Sequence, residues 1–91
     1  MRSERDQAFG VAVGAQVVRR RQECEMSQAE LARRLGIKQV TLSGYEMGRT
    51  AFSLYLLLRV ASLLKVSFAE LIGPAVRKVA ATTKRDLSDQ G

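Results

Sequence analysis

Apolar residues recur at three- and four-residue spacing along most of the chain, which is the spacing of α-helices and not of β-strands. One apolar stripe consists of Phe9, Val13 and Val17, and a second of Leu31, Ala32 and Leu35. A third consists of Leu54, Leu57, Leu58, Ala61 and Leu64. The pattern therefore predicts an all-α fold.

Capping residues and glycines divide this pattern into helices. Ser27 and Glu30 have the spacing of a capping box, which begins a helix that ends at Leu35, before Gly36. The following helices are predicted over Lys38–Met47 and from the Ser53 cap through Leu64, and a last short turn over Phe68–Ile72, before Gly73-Pro74. The first helix starts between Ser3 and Val11 and ends near Cys24, which we place in the core.

The link between the helices ending at Leu35 and beginning near Lys38 is too short for an antiparallel pair. A connection of three or four residues that contains glycine instead crosses two helices at about 90–120°. This geometry leaves the N-terminal turn of the Lys38–Met47 helix projecting outward. A helix exposed in this way fits the major groove of DNA.

Composition points to the same kind of partner. Fifteen Lys and Arg against nine Asp and Glu give a net charge of +6 in 91 residues, which suggests a polyanion. The chain has no His and one Cys, so the residue types favour a binding module over an enzyme, with no cofactor or metal expected. We see no membrane span or signal peptide in the sequence and expect a cytoplasmic protein.

The most specific evidence is a set of residues in fixed register. They are Arg21, Ser27-Gln28, Leu31-Ala32, Leu35-Gly36-Ile37, Gln39, Glu46-x-Gly48-Arg49, and the block Ser53-Leu54, Leu57-Leu58, Ala61, Leu64, Val66 and Leu71. In this register the chain, from about Val13 to Ile72, resembles the Cro/repressor-type (lambda-repressor-like, XRE-family) helix-turn-helix domains of phage and bacterial regulators. The resemblance implies a five-helix domain whose second and third helices bind double-stranded DNA.

The chain departs from the pattern of this family at three positions. Lys38 stands where the family usually has Ser or Thr, so the cap of the recognition helix is weaker by about 1 kcal/mol. Glu25 replaces the usual Gly between the first two helices, and Phe52 stands where Pro is common.

Base contacts are expected from the front of the recognition helix, at Lys38, Gln39, Val40, Thr41, Ser43 and Gly44. Gln39 can bond bidentately to adenine, and Val40 suits a thymine methyl group. Val40 and Gly44 each have an alternative interpretation. Val40 also suits a cover for the corner between the helices. Gly44 either permits close approach to the groove or is merely tolerated.

Phosphate contacts are expected from Ser27, Gln28, Arg34 and Arg49. The resemblance also implies that Gln28 braces Gln39, and that Arg21 and Glu46 form an ion pair between the first helix and the end of the third.

Phe52, Tyr55 and Leu56 add apolar side chains beyond what one helix face needs, so we predict a homodimer surface there. The alternative is that the tail folds back over them. We divide the chain into residues 1–12 as an arm or an extension of the first helix, 13–73 as the DNA-binding domain and 74–91 as a partly helical tail, loose from Thr82.

These features predict a sequence-specific transcriptional regulator, most simply a repressor that binds a pseudo-palindromic operator as a homodimer. The alternative hypothesis is an antitoxin or adaptor whose main partner is another protein, such as a toxin, with DNA binding as autoregulation.

Overall fold

The computed structural model describes the backbone of residues 3–90 and the side chains of residues 3–81. Within this range the chain forms five α-helices and no strand, which confirms the all-α prediction. The helices are α1 (Glu4–Glu23), α2 (Gln28–Leu35), α3 (Gln39–Glu46), α4 (Leu54–Leu63) and α5 (Phe68–Gln90).

Serine side chains cap the starts of α1, α2, α4 and α5. The hydroxyl oxygen of Ser3 accepts from the amide of Asp6, and Ser27, Ser53 and Ser67 accept in the same way from residues three positions on. Asp6 also reaches back to the amide of Ser3, which completes a capping box. This Ser-x-x-Asp signal fixes the start of α1, which the apolar pattern left open.

The core lies between the helices and contains most of the three predicted stripes, whereas Leu54 and Leu58 of the third stripe are exposed. Leu31, Leu42 and Leu71 are fully buried, and so are Val17 and Val60. Burying each such side chain contributes roughly 1.5–3 kcal/mol. Leu42 comes from α3, so the core fixes the inner side of the helix that is expected to read DNA.

Helix α5 does not stop at Gly73-Pro74, so the predicted break and the loose tail from Thr82 are wrong. The helix continues through Pro74 to Gln90, although proline removes one hydrogen bond to the preceding turn. Ala75 is 1% exposed, and α5 forms the most extensive interhelical contact of the fold, with α1. This packing offsets the lost bond. The predicted limits at residues 12 and 73 therefore fall inside helices, and Met1, Arg2 and Gly91 lie outside the described residues.

Of the two residues that follow α1, Glu25 departs from the pattern of the resembled family and Cys24 departs from our prediction. Glu25 follows α1 with a φ of 54°, a left-handed conformation that suits the glycine usual there. Cys24 is exposed and its thiol lies 3.5 Å from the carbonyl oxygen of Leu64. Our placement of Cys24 in the core is therefore wrong, because this C-cap residue lies beyond the end of α1 and does not continue its buried face.

Helix α1 approaches the end of α3 closely at Gly14. A Cβ atom at this position would lie 2.8 Å from the carbonyl oxygen of Tyr45 and closer still to that of Glu46. Gly48 has a φ of 75°, and a Cβ atom at this position would lie 2.7 Å from the backbone of Val11. Glycine at both positions lets the backbones meet, and this contact sets where α3 ends.

Candidate nucleic-acid interface

The turn between α2 and α3 ends one helix and starts the next within three residues. Gly36 adopts φ 73° and ψ 28°, the left-handed cap that its position predicted. The amide of Ile37 donates to the carbonyl oxygen of Ala32 at 3.1 Å, which closes the last turn of α2. The turn holds α3 close against α2 and releases its first residues to the surface.

The front turn of α3 projects into solvent. Lys38, Gln39, Val40 and Thr41 are all exposed, whereas Leu42 is fully buried beneath them. Lys38 makes no side-chain cap, as its residue type predicted. Val40 is 75% exposed, so it does not cover the corner between the helices. This exposure agrees with the interpretation that Val40 is available to contact a thymine methyl group, and not with the interpretation that it covers the corner.

Glu46 anchors the other end of α3 in a buried hydrogen-bond network. Its carboxylate accepts from Arg21 twice, from Nε at 2.9 Å and from Nη2 at 3.1 Å, and from the Gln28 amide at 2.8 Å. The side chains of Arg21 and Glu46 are 12% and 4% exposed. Arg21 also donates to the carbonyl oxygen of Met26. The implied ion pair is thus present, and it ties α3 to both α1 and α2.

Gln28 continues this network to the front of α3. Its side-chain oxygen accepts from Nε2 of Gln39 at 3.2 Å, while its Nε2 donates to Glu46. Both ends of the Gln28 amide therefore have partners inside the chain. At the start of α2, the first backbone N–H groups lack intrahelical partners, as at any helix N-terminus.

Glu30 makes contacts that differ from the predicted capping box. Ser27 caps the Glu30 amide as expected, but the Glu30 carboxylate accepts from Arg33 and Arg34 at 2.7–3.0 Å instead of reaching back. The hydrogen bonds from Arg33, and then from Arg34, lower the pKa of the Glu30 carboxyl to about 2. Arg34, predicted to contact phosphate, is thus held by an acidic side chain of its own helix.

One exposed residue of this surface, Met47, was missed by the sequence analysis. It follows α3 directly, and its side chain is 55% exposed. Its sulfur lies 3.9 Å from the hydroxyl of Ser43, one turn back on α3. The spacing of four from Ser43 and seven from Val40 is the signal that would have placed it on the same helix face.

A helix-turn-helix family model matches residues 18–71, which is more than half of the chain and includes α2, α3 and α4. The chain belongs to this helix-turn-helix family. It is a DNA-binding regulator of the XRE type, with the Cro/repressor-type domain that the sequence resembled. No match was found among the curated proteins.

The helix-turn-helix domain leaves an apolar patch on α4 uncovered, although its composition differs from the prediction. Leu54, Tyr55 and Leu58 are 64%, 70% and 48% exposed, and we call these three residues the α4 patch. Leu56 is 9% exposed within its own chain, so it is removed from the predicted dimer surface. Phe52 is half-buried, with its ring stacked on Tyr45 at 4.8 Å between centroids.

The removal of Leu56 from the predicted dimer surface follows from the helical period of α4. The helical period places Leu56, Leu57 and Val60 on the inner face of α4, which packs against the core formed with the other helices.

Among the described residues, no helix has the length and apolar character of a membrane span.

Proposed function

We propose that this helix-turn-helix protein is a sequence-specific repressor that binds a pseudo-palindromic operator as a homodimer, with α3 in the major groove. The observation that carries the proposal is the exposed turn Lys38–Thr41, because the Glu46 network and buried Leu42 fix the helix behind it. A rigid helix with exposed leading side chains is what base reading requires. Its place of action is the cytoplasm, together with its DNA.

The base contacts are assigned to the face of α3 that begins at Gln39. Gln39 reads adenine, since a glutamine amide bonds bidentately to N6 and N7, and the bond from Gln28 fixes the orientation of its amide. Val40 contacts a thymine methyl group. Lys38, Thr41 and Ser43 supply polar contacts beside them, and Gly44 brings the helix backbone near the groove floor.

The phosphate contacts are assigned to the two ends of the helix pair. Ser27 and the backbone amide of Gln28 lie at the start of α2, where the helix dipole favours an anion. Arg49 follows α3 and is exposed. Arg34 joins them when a phosphate replaces the carboxylate of Glu30 as its partner.

Binding to operator and to random DNA separates these roles. Gln39→Ala loses about 1–3 kcal/mol of operator affinity, mainly at one base position, because it removes a bidentate base contact. Arg49→Ala weakens all sequences alike and lowers the salt dependence of binding by about one ion, because it removes a phosphate contact. Fluorescence anisotropy over a series of salt concentrations measures both effects.

If Gln39→Ala loses the same affinity for operator as for random DNA, Gln39 does not read a base. The matched control is Gln22→Ala, which changes an exposed glutamine on α1. It leaves both affinities unchanged.

The dimer is assigned to the α4 patch, since three large apolar side chains side by side on a surface mark an interaction site. A two-fold axis through this patch lets each protomer place its α3 in one of two half-sites about one helical turn of DNA apart. Sedimentation of the purified chain tests this assignment. Tyr55→Glu makes the protein monomeric and lowers operator affinity, whereas Ala15→Glu, at an exposed position of α1, does neither.

A purified chain that is already monomeric and does not shift DNA on its own contradicts the homodimer. That result favours the antitoxin or adaptor, because the α4 patch then belongs to a different protein.

A further inference from the structure

The exposed face of α3 contains a second apolar side chain that the proposed contacts do not use. Met47 is 55% exposed and follows α3 directly. In α-helical spacing, Met47 lies one turn beyond Ser43 and two turns beyond Val40. The apolar groups of Val40 and Met47 therefore lie on one stripe of the helix surface.

The Met47 side chain extends back toward the front of α3. Helical side chains point toward the N-terminus of their helix, and the contact between the Met47 sulfur and the Ser43 hydroxyl, 3.9 Å apart, shows that this one does. The thioether therefore lies nearer the front of α3 than the Met47 backbone does.

Gly44 leaves room beside this thioether. A Cβ atom at Gly44 would find no neighbour within 4 Å, so the stripe has a gap of one side chain between Val40 and Met47. Two apolar groups on either side of a gap fit the major groove, where the C5-methyl groups of pyrimidines are the apolar features.

Charge favours DNA over an apolar protein surface as the occupant of this stripe. Lys38 precedes α3 and Arg49 follows it, and both are exposed, so a cation stands at each end of the apolar stripe. The acidic residue of α3, Glu46, is buried and paired with Arg21 on the opposite side. Phosphates on both sides of a groove match this arrangement.

We propose that Met47 is a specificity-determining residue, and that Val40 and Met47 together read two pyrimidine 5-methyl groups within about three base pairs of each half-site. The proposal rests on the proposed base reading by α3, and it names the chemical feature of the operator that this helix selects. The recognised site is then rich in thymine beneath α3.

Replacing single thymines by deoxyuridine tests the proposal, because this change removes the methyl group and leaves base pairing intact. The probe is a duplex selected from a random pool by the full-length chain, with one thymine replaced at a time. We expect about a fourfold loss of affinity at each of two positions per half-site, which corresponds to about 0.8 kcal/mol for one buried methyl group. Replacements elsewhere have no effect.

Variants then assign each position to a side chain. Met47→Ala abolishes the uracil effect at one position and retains it at the other, while Val40→Ala does the reverse. Met47→Leu keeps an apolar side chain and retains most of the effect. Val76→Ala, which changes an exposed valine on α5, is the matched control and leaves the pattern unchanged. Circular dichroism confirms that each variant is folded.

Three results would overturn the assignment of Met47. They are a selected half-site without thymine beneath α3, a uracil pattern that Met47→Ala does not change, and a loss in Met47→Ala that comes from weaker dimerisation. In each case Gln39→Ala still loses affinity for operator and not for random DNA, so the proposed function survives. If the chain selects no DNA sequence, both the assignment of Met47 and the proposed function are wrong.

Discussion

At the residue scale, Glu46 does the most to determine the shape of the reading surface. One buried carboxylate accepts hydrogen bonds from α1 through Arg21 and from α2 through Gln28, at the end of the helix that both must position. Gln28 passes the same constraint to Gln39. The orientation of Gln39, the side chain that we propose reads a base, is thus coupled to a charge pair in the interior.

Loss of Arg21 tests how much this pair stabilises the fold. Arg21→Ala leaves the Glu46 carboxylate buried without its cation, so we expect a loss of roughly 3–5 kcal/mol in the free energy of unfolding. Urea denaturation measures it. Arg19→Ala is the matched control, since the Arg19 side chain is 63% exposed and its ion pair with Glu23 is long, at 3.9 Å; its loss stays below about 1 kcal/mol.

A loss below about 1 kcal/mol for Arg21→Ala would mean that the pair is not effectively buried. Glu46 would then depend on Gln28 alone for its position.

At the element scale, the start of α3 lacks the cap that the other helices have. Serine caps α1, α2, α4 and α5, but Lys38 makes no side-chain hydrogen bond at the start of α3. A cation at this end also opposes the helix dipole. Both features cost stability in the free protein, and both become favourable when a phosphate lies beside Lys38.

Lys38→Ser therefore separates stability from binding. A serine cap raises the free energy of unfolding by about 1 kcal/mol. Operator affinity falls and its salt dependence decreases by about one ion, because a cation near the phosphates is lost. Thermal unfolding and DNA titration measure the two effects. If Lys38→Ser binds DNA as tightly as the original chain, Lys38 has no role at the interface.

At the scale of the whole molecule, the position of α3 depends on how closely α1 approaches it. Gly14 allows the backbone of α1 to meet the carbonyl groups at the end of α3, and α1 is in turn supported along its length by α5. The two longest helices thus form a support behind the reading pair. Contacts between residues far apart in sequence decide this arrangement.

Two glycine substitutions test the support. Gly14→Ala destabilises the protein by roughly 1–3 kcal/mol, because a methyl group has no room there and the helices must separate. Gly44→Ala, the matched control, raises stability by about 1 kcal/mol, because alanine favours the helix and its methyl group meets nothing. Urea denaturation compares the variants. If Gly14→Ala proves as stabilising as Gly44→Ala, α1 and α3 are not in close contact.

Gly44→Ala also decides between the two interpretations of Gly44. If the glycine permits close approach to the groove, the more stable variant binds its operator more weakly. If the glycine is merely tolerated, affinity is unchanged.

Local signals accounted for most of the helices and for the exposed turn of α3. Ser27, Gly36 and Ser53 act through hydrogen bonds and backbone preferences within a few residues, so their effect is visible in sequence. Gly73-Pro74 misled the prediction because its local preference is overridden by packing of Ala75 and its neighbours against α1. Leu56 and Cys24 were misplaced because an apolar residue type does not say which way its position faces.

The sequence by itself determined that this chain is helical, where α2 and α3 meet, and that the first residues of α3 are exposed. These properties follow from short-range periodicity, capping and the left-handed turn at Gly36. The tertiary structure decided the rest: the length of α5 and the side chains that remain on the α4 patch. Each depends on the free energy of packing between distant segments, which local sequence does not encode.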